Sequence, residues 1–427
     1  MGRWMDNFTD IALMVLQGLS TSVVDAFYLM TVFVALMTVY RFSQFSPSGK
    51  PSFKKAWGLI IELTVQGILM GALFSFAVVM LGLPIMYSDY LYFLLPLSFI
   101  IGFYHIRYTS LNYAALGLAL ISLVLNGQTI GNLQVPMVDF SIAGLAIVTG
   151  LLMLMVGGLI IVTGDRHMMP IAVKTMTGRK LGFGVQRFWP IPVVLLAGLM
   201  VVVQGDTVAM PDWWPLLKLI NGQPEEISFF LLPLLFVMSY GSVSFSHSPE
   251  RQVRLHGGAQ CLSGLLLLLV GFVGSRFAGM TWLSLIVMVL VVVLPEIYWH
   301  KMEDEERCIY DLEAEGIYVV GVESGSLAQT LGFKLGDLIT NVGGEKVSTM
   351  SELIRLYKDL TPERMILVHR GADGEAVINV QKLDLLEEEF GLRFMADKPA
   401  RVYAYNQVIH MNMMNMMRMT VDKNDAK

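Results

Sequence analysis

Apolar runs fill most of residues 11–300, broken by short polar loops, while charged residues crowd 301–427. A bilayer core about 30 Å thick takes roughly 20 apolar residues per helix. On that measure the spans expected are 22–40, 57–82, 90–104, 112–126, 140–163, 188–204, 227–245, 260–275 and 280–298, eight or nine in all. Residues 7–21 fit either an interfacial helix or part of an extra hairpin. Pro96, Pro190, Pro192 and Pro233 fall within these runs, so neighbouring helices would have to satisfy the backbone groups they free.

Beyond residue 300 the pattern changes. Lys301–Arg307 reads KMEDEER, a charged exit from the membrane. The run Gly316–Val322 is rich in β-branched and aromatic residues and predicts a strand. Ser326 is placed to cap a helical turn over Leu327–Leu331, which Gly332 ends. A strand is expected at Leu338–Val342, then a Gly343-Gly344 turn. Thr349 and Glu352 stand at capping-box spacing before a helix whose apolar face is Leu353, Leu356, Tyr357 and Leu360. Strands at Met365–Arg370 and Ala376–Gln381 complete a small sheet with one amphipathic helix.

The ordered motifs Gly325-Ser-Leu-Ala328, Leu331-Gly-Phe333, Leu335-Gly-Asp-Leu-Ile339 and Val342-Gly-Gly344 resemble the bacterial type of PDZ domain. Leu327 stands where that family has Pro, and Gly343 where it has Asn. The resemblance covers about 316–380 and implies a module that adds a peptide strand to an open sheet edge. It places the groove beside the helix 351–360, with Leu353, Leu356 and Tyr357 as candidate lining residues. In circularly permuted members the groove strand comes late in the chain. Phe390, Gly391, Leu392, Arg393 and Phe394 are either that strand, with an anion-binding turn of backbone N–H groups, or an ordinary closing strand. The fold class expected is a polytopic α-helical membrane domain followed by a small α+β PDZ-like domain of permuted bacterial type. Its boundaries are 1–300 for the membrane domain, 301–315 for a charged linker, 316–395 for the PDZ-like domain and 396–427 for a flexible Met-rich tail.

Charge sets the orientation. With these spans, one set of loops holds twelve basic residues: Arg41, Lys50, Lys54, Lys55, Arg107, Arg166, Lys174, Arg179, Lys180, Arg187, Arg251 and Arg254. The alternate loops hold only Lys218 and Arg276. Basic residues near span ends favour the cytoplasm, which puts the C-terminal domain inside the cell. Trp57, Trp189, Trp213, Trp214, Trp282 and Trp299 fall at predicted span edges or in loops, where indole rings favour the headgroup layer. Met1–Asp10 lacks signal-peptide features, so the first span is expected to direct insertion. A net charge of −5 without a basic face argues against nucleic acid.

A PDZ-like module beside membrane spans raises the question of an intramembrane protease. There is no His-Glu-x-x-His string. His247, Glu250 and His256 read as loop residues, and His105 and His167 stand alone. The serines of Gly241–Ser246 have no nucleophile elbow around them. No enzyme activity, cofactor or metal is expected. Asp25, Glu62 and Glu296 lie near predicted span ends, where snorkelling accounts for them. Two function classes follow: a membrane-anchored scaffold recruiting proteins through the PDZ-like domain, or a transporter, sensor or processing component regulated by it. Many spans followed by one PDZ-like domain resemble the MinJ family of cell-division topological determinants from Gram-positive rods. That resemblance implies DivIVA-like and MinD-like partners, with the lipid bilayer as anchor, and enrichment at septum and poles.

Overall fold

The computed structural model describes residues 2–43, 53–125, 129–130, 133–134, 141–175, 178–199, 214–215, 227–277, 280–302, 310–312, 314–323, 325–359, 363–369, 374–381, 390–395 and 403–404. It opens with α1 (Gly2–Val24) and α2 (Ala26–Phe42), bent 61° from each other. Asp25 stands at the bend. Its carboxylate accepts the Phe27 N–H at 3.0 Å, so it is a helix cap, which explains it better than snorkelling. There follow α3 (Phe53–Leu81), strand β1 (Ile85–Met86), α4 (Leu94–Gly102), α5 (Leu111–Leu125), the short strands β2 (Thr129–Ile130) and β3 (Leu133–Gln134), and α6 (Ile142–Thr163). Then come β4 (Met169–Thr175), β5 (Gly178–Leu199), β6 (Ser228–Ser244), α7 (Pro249–Arg276) and α8 (Thr281–Met302).

Among the described residues, α3, α6, α7 and α8 contain stretches long and apolar enough to cross a membrane, and the bent α1–α2 pair is a fifth candidate. The chain is a multi-pass membrane protein. Its outer surface carries large apolar side chains such as Phe27, Phe33, Leu69, Leu73, Leu262 and Ile286, as a lipid-facing surface requires.

The expected spans 188–204 and 227–245 are corrected. Their described parts form β5 and β6, an antiparallel pair in register from Phe183↔Ser244 to Leu199↔Ser228. A continuous apolar run does not distinguish a buried strand from a buried helix by periodicity alone. The prolines do distinguish them. One edge of β5 is taken by β6; the other is paired with β4 over 178–184 and with β1 at 197–198. Between those pairings the second edge is covered by α3. There Gly67 and Gly71 lie so close that a Cβ on either would overlap the Pro190 or Pro192 carbonyl oxygen. Pro190 and Pro192 have no N–H to leave unpaired on this edge. Val194, two residues on, has one, and donates it to Ser75 Oγ at 2.8 Å. Trp189 is fully buried beside the prolines, its Nε1–H donating to Gln66 at 3.0 Å, and so does not sit at a headgroup edge.

Other polar groups in this region also find partners. Arg187, counted above among loop residues, is buried in β5 and donates to the Thr163 and Arg166 carbonyls at the end of α6. Helix C-termini favour such a cation. His167 Nε2 lies 3.0 Å from Glu62, and Glu296 accepts from Arg107 at 3.2 Å and Tyr113 at 2.7 Å. Glu250 and His256 belong to α7 rather than a loop. His256 is buried and stacks on Trp299 with ring centroids 3.8 Å apart.

α6 and α7 pack antiparallel through glycines seven apart, Gly150 and Gly157 facing Gly264 and Gly257. A Cβ added at Gly264 would stand 2.6 Å from the Gly150 oxygen, whereas Gly258 has open space. Small residues permit this approach, and close packing then supplies the attraction that lipid-exposed helices otherwise lack. Gly264→Leu should therefore lower the thermal unfolding midpoint in detergent, by the equivalent of about 1–3 kcal/mol or more. Gly258→Leu should leave it nearly unchanged.

The C-terminal domain contains β7 (Ile317–Val322), α9 (Leu327–Thr330), β8 (Leu338–Val342), β9 (Glu345–Lys346), α10 (Met350–Asp359), β10 (Glu363–His369), β11 (Glu375–Gln381) and β12 (Leu392–Phe394). The sheet order is β11-β10-β8-β7-β12, with β9 pairing β8. Its core gathers Ile317, Val319, Ala328, Phe333, Ile339, Val342, Leu353, Leu356, Ile366, Val368 and Phe390. A last strand, β13 (Tyr403–Ala404), lies within the expected tail but pairs with β4. The Met-rich stretch 410–418 lies outside the described residues.

Candidate peptide-binding site

The site is built on the edge strand β12. Three groups fix it against β7. The Gly391 carbonyl accepts the Glu323 N–H at 2.9 Å, Met395 donates its N–H to the Tyr318 carbonyl at 2.9 Å, and Arg393 pairs with Gly321 in register between them. In an antiparallel ladder successive residues turn their backbone groups to opposite sides. The register shifts between Arg393 and Phe394, but the extra residue, Val320, lies on β7, so Gly391, Arg393 and Met395 still face inward and Leu392 and Phe394 turn their N–H and C=O groups to the outer edge. Among the described residues β12 ends the sheet on that side.

Gly391 explains the entry to this strand. Its φ is +79°, and a Cβ there would lie 2.3 Å from Ser326 Cβ. Only glycine fits both the left-handed backbone and the contact. Ser326 in turn caps α9 by accepting the Gln329 N–H at 3.3 Å, as the sequence suggested. Residues 382–389 lie outside the described residues, so the expected anion-binding turn has only its Phe390-Gly391 end in view.

The sequence-predicted residues separate into two groups. Leu353 and Phe390 are buried to 0% and 2% exposure and Leu356 to 5%, so they form the core beneath the site and are corrected from lining to support. Phe390 meets Phe333 edge-to-face at 6.1 Å. Leu392 and Phe394 are partly buried and pack against that core, while Arg393 is exposed and 3.8 Å from Glu323. The Tyr357 side chain lies outside the described residues. Sequence reasoning missed Ile354, which is 37% exposed on α10. The signal was available: Ile354 and Tyr357 stand three apart, on one helix face.

α10 is held at its start by a complete capping box. Glu352 donates its N–H to Thr349 Oγ1 at 3.2 Å, and its carboxylate accepts the Thr349 N–H at 3.1 Å and the Ser348 N–H at 2.8 Å. Those backbone donors hold the Glu352 carboxyl below its ordinary pKa. Elsewhere in the domain, burial pushes the Tyr318 phenol up to about 12. Among the described residues no three His, Cys, Asp or Glu side chains gather as a metal set.

A family model for the PDZ domain matches residues 318–370, and the sheet, helix and glycine turns described above occupy that segment. This segment is a PDZ domain. The cell division topological determinant MinJ of Bacillus subtilis (strain 168) is 23% identical to the chain over 218 residues. The match takes in 49% of this chain and 52% of MinJ, so the chain spans about half the length of that relative. No solved structure matches. The protein is thus a PDZ-bearing membrane protein with distant similarity to MinJ.

The cap makes two measurable demands on the PDZ domain. Thr349→Ala should cost about 1 kcal/mol, seen as faster limited proteolysis within 316–395 of the full-length protein. Because the folded pKa of Glu352 is lowered, its contribution is present above the unfolded carboxyl range and lost as pH falls through the folded value. Acidification should therefore weaken the domain more in the parent protein than in Glu352→Gln.

Proposed function

We propose that the protein is a non-catalytic membrane adaptor whose PDZ domain recruits cell-division proteins by taking their peptide segments onto the outer edge of β12. The observation that carries this reading is the outward turn of the Leu392 and Phe394 backbone groups on a terminal strand. Main-chain pairing there supplies affinity, and side-chain pockets supply selectivity. Leu392, Phe394 and the outer face of α10, with Ile354, form the pocket walls in this proposal. Arg393 sets charge preference at its rim. The similarity to MinJ supports a division-related role, and the MinJ resemblance extends it to bridging DivIVA-like and MinD-like proteins at septum and poles.

The PDZ domain faces the cytoplasm in this reading. Arg179 and Lys180, which meet the linker just before it, and Glu250, which meets its Lys334, belong to or adjoin the basic loops assigned to that side. A reporter enzyme fused after residue 395 should be active only inside the cell; activity on the outer face would overturn the orientation.

The peptide reading is tested by a pair of substitutions. Phe394→Pro removes an outward N–H without touching a bond to β7, whereas Phe394→Leu keeps it. In a two-hybrid assay against the cell's DivIVA-like and MinD-like proteins, Phe394→Pro should reduce the signal at least tenfold and Phe394→Leu much less. Both variants should remain in the membrane fraction. Equal signals would move the partner site off the β12 edge.

A further inference from the structure

The PDZ domain does not hang from its linker as a free body. On its N-terminal side, Asp311 forms a β-bridge with Lys180 of β5. Leu181 donates its N–H to the Tyr310 carbonyl at 3.0 Å, and Leu312 donates to the Arg179 carbonyl at 3.1 Å. This short stretch continues the position that β6 occupies along β5 from Phe183 onward. On the C-terminal side, β13 pairs in parallel with β4 through Tyr403↔Val173 and Ala404↔Lys174. The segments before and after the domain therefore grip opposite edges of one β4–β5 hairpin.

Side chains fill the junction. Tyr310 is 3% exposed and meets Phe183 of the hairpin edge-to-face at 5.2 Å and Tyr318 of the PDZ sheet at 6.1 Å. Gly336 leaves room for it; a Cβ there would sit 2.9 Å from the Tyr310 hydroxyl. Lys180 meets Asp311 at 2.9 Å, and Lys334 of the PDZ domain meets Glu250 of α7 at 2.8 Å. Met395, directly after β12, is 6% exposed and belongs to the core cluster of the membrane domain, together with Leu181, Phe183, Tyr310 and Tyr318.

We infer that the membrane domain pre-organises the peptide-binding strand β12, through Met395 and Tyr318 wedged against Tyr310 and the β4–β5 hairpin. The physical reason is the shortness of β12. Three residues paired to one neighbour recover little of the ordering cost, which is about 1–2 kcal/mol per residue for the backbone. The Gly391–Glu323 bond holds one end within the PDZ domain. The other end is held by Met395, whose buried side chain belongs to the cluster shared by the hairpin residues Leu181 and Phe183 and the PDZ residues Tyr318, Val320 and Leu338. An edge ordered before the peptide arrives binds more tightly than one the peptide must order itself. Tyr310 and Met395 are thus positioning residues for the proposed site, and the inference rests on the β12 reading above.

Hydrogen exchange of the full-length protein in lipid nanodiscs tests this without a ligand. The reporters are the Met395 and Glu323 N–H groups, which bond across β12 and β7. Amides of β8 and β10 report the fold of the domain itself. Tyr310→Ala should speed exchange at the two reporters about tenfold or more and leave β8 and β10 within about twofold. Lys180→Glu combined with Lys334→Glu, which sets like charges across the junction, should do the same. Adding Asp311→Lys and Glu250→Lys to that pair should restore protection. Unchanged reporters in both disrupted forms would overturn the inference, as would equal loss across β8, β10 and β12. Failure here leaves the Phe394→Pro comparison standing, and failure of that comparison leaves this one interpretable.

Discussion

A peptide group in hydrocarbon must find its hydrogen bond within the protein, and this constraint governs the membrane domain. An unpaired group costs several kcal/mol there, so strands are tolerated only where protein encloses them. β5 is enclosed along its whole length. β6 pairs one edge, β4 and β1 pair the ends of the other, and α3 closes the gap. Within that gap Pro190 and Pro192 have no donor to satisfy, Ser75 takes the Val194 N–H, and Gly67 and Gly71 let the helix backbone approach. Each residue type is explained by the same requirement. A side chain on either glycine would hold α3 away from the strand edge it closes.

The same strand joins the two domains. Its 22 residues, at about 3.3 Å each, reach roughly 70 Å, far more than one bilayer crossing needs. Its first residues, Arg179 to Leu181, form the platform on which Tyr310, Asp311 and Leu312 lie. The segments on either side of the PDZ domain are consequently tied to strands of the membrane domain.

The C-terminal domain was readable because its local signals are punctuation. The strand at Leu338–Val342, the cap at Ser326 and the Thr349–Glu352 box all fall where sequence spacing placed them. The membrane domain was less readable because hydropathy reports burial and says little about backbone geometry. Residues 188–199 and 228–244 are apolar enough for spans, yet Pro190 and Pro192 at a spacing of two were a strand-edge signal that a helix could not use. Leu353 and Leu356 were identified correctly as one apolar helix face. Their burial shows that the face points to the core, so the residues able to touch a ligand had to come from elsewhere. The junction was not legible at all, because Tyr310 and Lys180 are 130 residues apart in the chain and neither belongs to a motif.

The forces at that junction are unequal. Lys334 and Glu250 are each more than 40% exposed, and Asp311 is similarly open. Exposed pairs of this kind contribute about 0–1 kcal/mol each, reduced further by salt. Tyr310 removes a whole aromatic side chain from water, an effect of about 1.5–3 kcal/mol for comparable groups. The apolar wedge therefore supplies most of the attraction, while the charges and the short β-bridge select which register it adopts.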